Sequence, residues 1–386
     1  MEHLINPRVR DIQISGIRRF FNRVMQYDDA ISLTIGQPDF ATPEHIKEAG
    51  KRAIEQNKTV YTPNAGLPEL REAASRFLAS RYGLSYNPEN EIITTNGASE
   101  AIDITLRTIL DAGSEVILPG PVYPGYEPII KLCGAVPVYI DTTQNDFKIS
   151  AKLLKEKLTE KTRCLILPYP SNPTGCILDK QTIVEIAHLL EDRDIFVLSD
   201  EIYSELIYGA QHHSIAAINH MREKTIVING LSKSHSMTGW RIGFTFAPVY
   251  LSEQMLKVHQ YNSTCASSIS QYAALEALTA GVNDAEAMKD EYNQRRDYAY
   301  ERLVSMGLDV VKPDGAFYIF PSIKKFGMNS LDFAVRLLEE ARVAAVPGDA
   351  FSSFGEGYIR ISYAYSRDIL ETGLNRLEGF ISSLRV

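Results

Sequence analysis

The chain has 386 residues, with 40 Lys and Arg against 48 Asp and Glu and a formal net charge of −8 at pH 7. Hydrophobic residues make up 45% and charged residues 23%, which excludes a disordered chain, a collagen and a coiled coil. The acidic balance argues against nucleic acid as a main partner, because binding a phosphate backbone takes surplus positive charge.

The first 26 residues mix apolar and charged side chains too densely for a signal peptide. No stretch approaches the roughly 20 apolar residues that span a bilayer, so no membrane partner and a cytoplasmic location are expected. Next comes SLTIGQPDF (32–40), rich in turn formers. EIITT (91–95) reads as a strand that leads into a helix through NGASEAIDITLRTIL. EVILP (115–119), VPVYI (136–140), CLILPY (164–169), IFVLSD (195–200) and TIVING (225–230) read as further strands. Most are apolar throughout, as strands covered on both faces must be, and amphipathic runs such as KQTIVEIAHLLEDR separate them. That alternation predicts an α/β fold with a mostly parallel sheet between helices.

After about residue 285 a long charged helix, AEAMKDEYNQRRDYAYERLVSMG, leads to GLDVVKP, AFYIFPSI, RVAAVPG and YIRISYA. This reads as a smaller α+β domain. The expected division is a large domain over 46–284, a small one over 285–386, and an N-terminal segment, 1–45, packed on the small one. Cys133, Cys164, Cys176 and Cys265 match no CxxC spacing and read as small apolar residues. The histidines, the His212-His213 pair included, match no metal-ligand spacing, so no metal is expected.

Open parallel sheets take ligands beyond the carboxyl ends of their strands. No GxGxxG, GxxxxGK[ST], GxSxG or HExxH occurs there. The strands run instead into Asn96-Gly97-Ala98-Ser99, Tyr123, Ser171-Asn172-Pro173-Thr174-Gly175, Asp200 with Tyr203, and Ser232-Lys233 with Arg241 eight positions beyond the lysine. Singly, each has a plainer reading. A strand-ending Asp caps a helix, SNPTG is a good turn, and a lysine amid Ser and Gly sits in a solvated loop. Together they supply an amine nucleophile, a carboxylate, a phenol, an amide, an anion-binding helix start and a guanidinium, which is what holding pyridoxal phosphate requires.

GLSKSHSMTGWRIG (230–243), SNPTG (171–175), SDEIYSEL (199–206), YTPNAGLPELREA (61–73) and YIRISYA (358–364) stand in family order. On these motifs the whole chain resembles the fold-type I, class I and II pyridoxal-phosphate aminotransferases. The resemblance implies a seven-stranded, mostly parallel sheet in the large domain, and a homodimer with composite sites. It makes Lys233 the catalytic residue: it links covalently to the cofactor and, once released, moves a proton between the substrate α-carbon and the cofactor. Asp200 would hold the ring nitrogen protonated, Asn172 and Tyr203 would bond the ring oxygen, and Tyr123 would stack on the ring. The phosphate would take the N–H groups of Ala98 and Ser99, the Ser232 hydroxyl, the Arg241 fork and Tyr61 of the neighbouring subunit. Gly230 stands where the family often has serine. Arg360 and the N–H of Gly36, with Asn172, would bind the substrate carboxylate; a salt-bridged strand arginine is the plainer reading of Arg360.

The implied activity is amino transfer between an amino acid and a 2-oxo acid. The chain also resembles the acetyl-diaminopimelate subgroup, which implies N-acetyl-LL-2,6-diaminopimelate with 2-oxoglutarate or glutamate, in lysine biosynthesis, as the substrates. Aspartate or aromatic amino acids are alternative substrates, and a C–S lyase or a non-catalytic regulatory module the alternative functions. Ile14, Ser15, Gly16 and Ile17 are candidate pocket residues, and Arg18 and Arg19 are available for a distal carboxylate.

Overall fold

The computed structural model describes residues 1–13, 16, 20 and 23–384. Ile14, Ser15, Ile17, Arg18 and Arg19 therefore lie outside the described residues.

After β1 (Ile31–Ser32), the strands β2 (Ile92–Thr95), β3 (Glu115–Gly120), β4 (Val136–Asp141), β5 (Thr162–Leu167), β6 (Phe196–Asp200), β7 (Thr225–Gly230) and β8 (Gly243–Phe246) succeed one another in chain order. All but β1 form one seven-stranded sheet in the order β2-β8-β7-β6-β5-β3-β4. It is parallel except at β8, which runs antiparallel to both β2 and β7. The six apolar runs read from the sequence each became a strand within about two residues; β8, only four residues long and opening on glycine, gave no such signal. β7 is buried along its whole length, as its unbroken apolar run requires.

The covering helices show why the sheet stays closed to water. The helix Lys180–Leu190 starts under an Asp179 side chain that accepts from the Thr182 N–H at 2.7 Å. It buries Ile183, Ile186, Ala187 and Leu190, one stripe at helical spacing. Each large side chain so buried contributes about 1.5–3 kcal/mol. Cys164 packs in a separate apolar cluster with Val116, Leu118 and Ile226, and Cys176 in another with Phe147 and Phe320; burial pushes their thiols up to about 12 and about 11.

Three short strands, β9 (Tyr318–Ile319), β11 (Val346–Pro347) and β12 (Ile359–Ser362), form an antiparallel sheet in the order β11-β12-β9. Between them in the chain, β10 (Val343–Ala344) pairs in parallel with β1. GLDVVKP contributes a single bridge, between Asp309 and Ser322. Leu33 joins the apolar cluster of Tyr292, Phe317, Phe333, Leu337 and Leu374, so the N-terminal stretch packs where the last hundred residues do.

The helix Glu44–Glu55 is tied to the helix Ser268–Ala277 by His45. Its ring nitrogens meet Glu276 at 3.1 Å and Asp284 at 2.8 Å. Partial burial disfavours the charged ring, but the hydrogen bonds to Asp284 and Glu276 outweigh it and raise the pKa. A raised histidine pKa gives stability that is fully present below the unfolded value of about 6.5 and fades as pH climbs through the folded value. His45→Gln is therefore expected to lower Tm at pH 6 and by distinctly less at pH 9; equal losses in melting scans at both pH values would remove the ion-pair role.

Candidate active site

The carboxyl ends of β5, β6 and β7 open into a cavity of about 1090 Å³. Lys233, Asp200, Asn172, Tyr203, Tyr123, Ser232, Arg241, Ala98, Ser99, Gly36 and Arg360 all line it. These residues are scattered over more than three hundred positions, so the fold has gathered what the sequence only suggested. Tyr61 is not among the lining residues; its side chain stands 83% exposed on the single chain.

β2 ends in a turn at Asn96-Gly97, and the helix Ala98–Ile109 begins without a side-chain cap. The first N–H groups of a helix have no partner within it, and with the macrodipole they attract an anion. Arg241 lies across this helix start, donating to the Thr238 carbonyl at 3.1 Å and the Asn96 carbonyl at 3.4 Å. It forms no ion pair among the described residues. Gly97 makes room for it: φ is +79°, and a Cβ there would lie 2.5 Å from an Arg241 nitrogen. Gly243 is required for the same reason, since its Cβ would lie 2.7 Å from the Ala98 nitrogen.

Asp200 ends β6 buried, and no helix follows it to be capped. Its oxygens accept from the Tyr126 hydroxyl at 2.7 Å and the Ile202 N–H at 3.3 Å. Burial raises its pKa, with the Tyr126 bond working the other way. A carboxylate so placed gains from a cation against it.

Lys233 is not a solvated loop residue. Its Nζ donates to the Gly36 carbonyl at 2.7 Å. Burial, then the Arg241 and Arg360 cations, pull its pKa down to about 8, against the pull of Asp200. Gly230, three positions earlier, is tightly packed: a Cβ there would lie 3.0 Å from the Ile242 carbonyl and 3.1 Å from Gly243 Cα.

Arg360 lies buried on β12. It donates to Asn172 Oδ1 at 2.9 Å and the Thr34 carbonyl at 2.6 Å, while its Nε is buried with no partner. The guanidinium stacks on Tyr318, 4.4 Å from the ring centre. No carboxylate pairs with it among the described residues, so the salt-bridged reading fails. Because Arg360 can only donate, Asn172 must turn its oxygen toward it, which leaves the Asn172 NH₂ as a donor on the other side.

With this geometry in place, residues 28–377 match the family described as aminotransferase class I and II. The chain belongs to this family. It is 61% identical over its full length to a Bacillus subtilis protein named probable N-acetyl-LL-diaminopimelate aminotransferase, of which it covers 98%. An aspartate aminotransferase of Pyrococcus abyssi is 44% identical, with 97% of this chain and 96% of that one aligned. In structure, the aromatic aminotransferase of Pyrococcus horikoshii superposes with a TM-score of 0.91 at 44% identity, over 95% of this chain and 99% of that one. The fold is thus fold-type I, and the chain is a pyridoxal-phosphate-dependent aminotransferase.

Two residues of this aminotransferase's cavity, Tyr126 and Tyr318, and one contact of Gly36 carry no signal in the sequence. Tyr126, three positions after Tyr123 and first in the helix Tyr126–Leu132, holds Asp200. Tyr318 shares a 2.8 Å hydrogen bond with the hydroxyl of Tyr203, and supports Arg360 from below. Gly36 meets Lys233 through its carbonyl, a contact the motif TIGQPDF did not suggest.

Gly97→Ala would place a side chain both in a backbone region nearly reserved for glycine and against Arg241. A stability loss of about 1–3 kcal/mol is expected, together with weaker cofactor binding as Arg241 is pushed off the helix start. Denaturant unfolding and cofactor titration check the two effects separately.

Proposed function

We propose that this aminotransferase moves the amino group between N-acetyl-LL-2,6-diaminopimelate and 2-oxoglutarate or glutamate, in lysine (diaminopimelate) biosynthesis. The observation that carries the reading is the size of the cavity and the cations that line it besides Arg360. Besides the residues around Lys233 and Arg360, it is lined by Ile12, Gln13, Gly16, Arg23 and Lys131, which bring two cationic side chains to a cavity of about 1090 Å³. Arg23 there is held by Glu339 at 2.7 Å, and Lys131 pairs with Glu127. The 61% identity supports the same substrate, whereas the aspartate and aromatic relatives are more distant. The test is a comparison of kcat/KM across acetyl-diaminopimelate, aspartate and phenylalanine. A preference of at least about tenfold for the first, the worth of roughly 1.4 kcal/mol, is expected; an equal or greater value for either of the others overturns it.

The residues fit the cofactor. Bound pyridoxal phosphate supplies an electron sink for negative charge at the substrate α-carbon. Asp200, buried without a cation hydrogen-bonded to it, would accept from the ring nitrogen and hold its proton. Asn172, through the NH₂ that Arg360 leaves free, and Tyr203 would bond the ring oxygen, with Tyr123 against the ring face. Ala98 and Ser99 N–H groups, the Ser232 hydroxyl and Arg241 would bind the phosphate. Arg360, with the N–H of Gly36, would take the substrate's carboxylate in its planar fork. Lys233 Nζ would then remove the proton from the α-carbon, a task suited to an amine whose pKa lies near working pH.

The same reading makes the active unit a homodimer, with Tyr61 reaching the phosphate of the neighbouring subunit. An exposed tyrosine beside the exposed Val60 supports it. Sedimentation of the purified chain as a dimer is the expected result. We also read 46–284 and 285–386 as the large and small domains, with 1–45 belonging to the latter, as the pairing of β1 with β10 supports. A cytoplasmic location accords with the finding that no helix among the described residues is long and apolar enough to cross a membrane.

A further inference from the structure

Behind the helix start at Ala98 and Ser99 lies a buried acid–base pair that none of the roles above uses. Glu100, the third residue of that helix, turns its carboxylate back over the preceding turn. One oxygen accepts from the Asn96 N–H at 2.5 Å and the Asn96 side-chain amide at 3.0 Å. The other accepts from the Ser263 hydroxyl at 2.6 Å and faces Nδ1 of His259 at 2.9 Å. The His259 side chain is fully buried on the helix Val249–Ser263, and its Nε2 faces the Asn64 carbonyl at 2.9 Å.

A carbonyl can only accept, so Nε2 carries a hydrogen. Nδ1 faces a carboxyl oxygen of Glu100, so a proton lies between the two. The two groups thus form a buried, hydrogen-bonded acid–base pair. Burial works against the charge on Glu100, yet the hydrogen bonds from His259, Asn96 and Ser263 outweigh it and hold the carboxyl below its ordinary pKa. Breaking a buried pair by removing one partner leaves an uncompensated charge, the costly case.

What the pair holds is specific. Asn96 is gripped at its N–H and its side chain, and its carbonyl accepts from Arg241 at 3.4 Å. His259 reaches Asn64, in the loop that carries Tyr61. An unpaired Glu100 would also set a negative charge within one turn of an anion site, where it repels.

We propose that Glu100 and His259 are positioning residues that hold the Asn96–Ser99 turn and Arg241 in register for the cofactor phosphate, with His259 fixing the Glu100 carboxylate by its hydrogen bond. The inference rests on the proposed assignment of that helix start to the phosphate.

The test measures dissociation constants of the apo protein for pyridoxal phosphate and for pyridoxal, which carries a hydroxyl in place of the phosphate. Glu100→Gln and His259→Gln are expected to weaken pyridoxal phosphate binding about tenfold or more, with pyridoxal affinity unchanged within error. Ser263→Ala, a one-hydroxyl change at a half-buried site, is expected to lose about threefold with the same selectivity. It decides the matter by itself should the buried variants fail to fold. A merely structural role weakens both ligands alike or neither, and either result overturns the inference. If the parent protein binds pyridoxal as tightly as pyridoxal phosphate, the phosphate assignment itself is wrong. If the parent prefers the phosphate form and the variants prefer it as strongly, only the positioning role falls.

Discussion

Replacing Lys233 with alanine is expected to abolish the covalent bond to the cofactor while leaving non-covalent binding largely in place. The phosphate, ring-nitrogen and ring-oxygen contacts proposed for Arg241, Asp200 and Asn172 do not involve Lys233 Nζ. Borohydride reduction and then peptide mass analysis should trap the cofactor on Lys233 in the parent and nowhere in the variant; trapping on another lysine would sink the assignment. Loss of the amine would also remove the base proposed for the α-carbon, so the rate should fall by about 100- to 10,000-fold or more. The pH dependence comes from the same side chain. The neutral amine is the proposed nucleophile, and a pKa of about 8 makes it available far below the value of about 10.4 for a free lysine. Capture of cofactor by the apo protein should therefore rise through about pH 8. Removing the Arg360 cation, one of the groups that lower this pKa, should move the midpoint upward.

Arg360→Met is the second large expected effect. The guanidinium is buried, stacked on Tyr318, and has one unpartnered nitrogen, yet no acid answers it among the described residues. A buried charge is tolerated only when something compensates it, and the substrate carboxylate is the proposed partner. Losing a bidentate pair should weaken every amino-acid and oxo-acid substrate by about 3 kcal/mol, roughly a hundredfold in KM. The loss should be the same whatever the side chain. Arg360→Lys keeps the charge but not the fork and should recover only part of it. A loss confined to acetyl-diaminopimelate would instead assign Arg360 to the far end of the substrate.

The parallel core was legible because strands covered on both faces must be apolar throughout. That is why TIVING and CLILPY could be read without any partner in view. β8 was not legible: four residues opening on glycine carry no period, and it is a strand only because β2 and β7 flank it. Of the site, the groups at strand ends stood out, since Asp200, Lys233 and Asn172 have few plainer reasons to occur together there. Their supports did not. Tyr126 and Tyr318 read as ordinary core aromatics until the fold sets their hydroxyls beside Asp200 and Tyr203. Glu100 and His259 lie 159 positions apart, on two helices whose sequences give no hint that they touch. Tyr61 marks the other limit: the resemblance names it, but one chain leaves it facing water.

The measurement closest to the central claim is the visible absorption spectrum of the purified holoprotein before and after adding glutamate. The expected result is that the band of the lysine-linked cofactor gives way to that of the amine form, and that 2-oxoglutarate restores it without release of ammonia. A band that glutamate leaves unchanged would contradict glutamate as amino donor. No band at all, with pyridoxal phosphate supplied, would contradict the role of Lys233 in holding the cofactor.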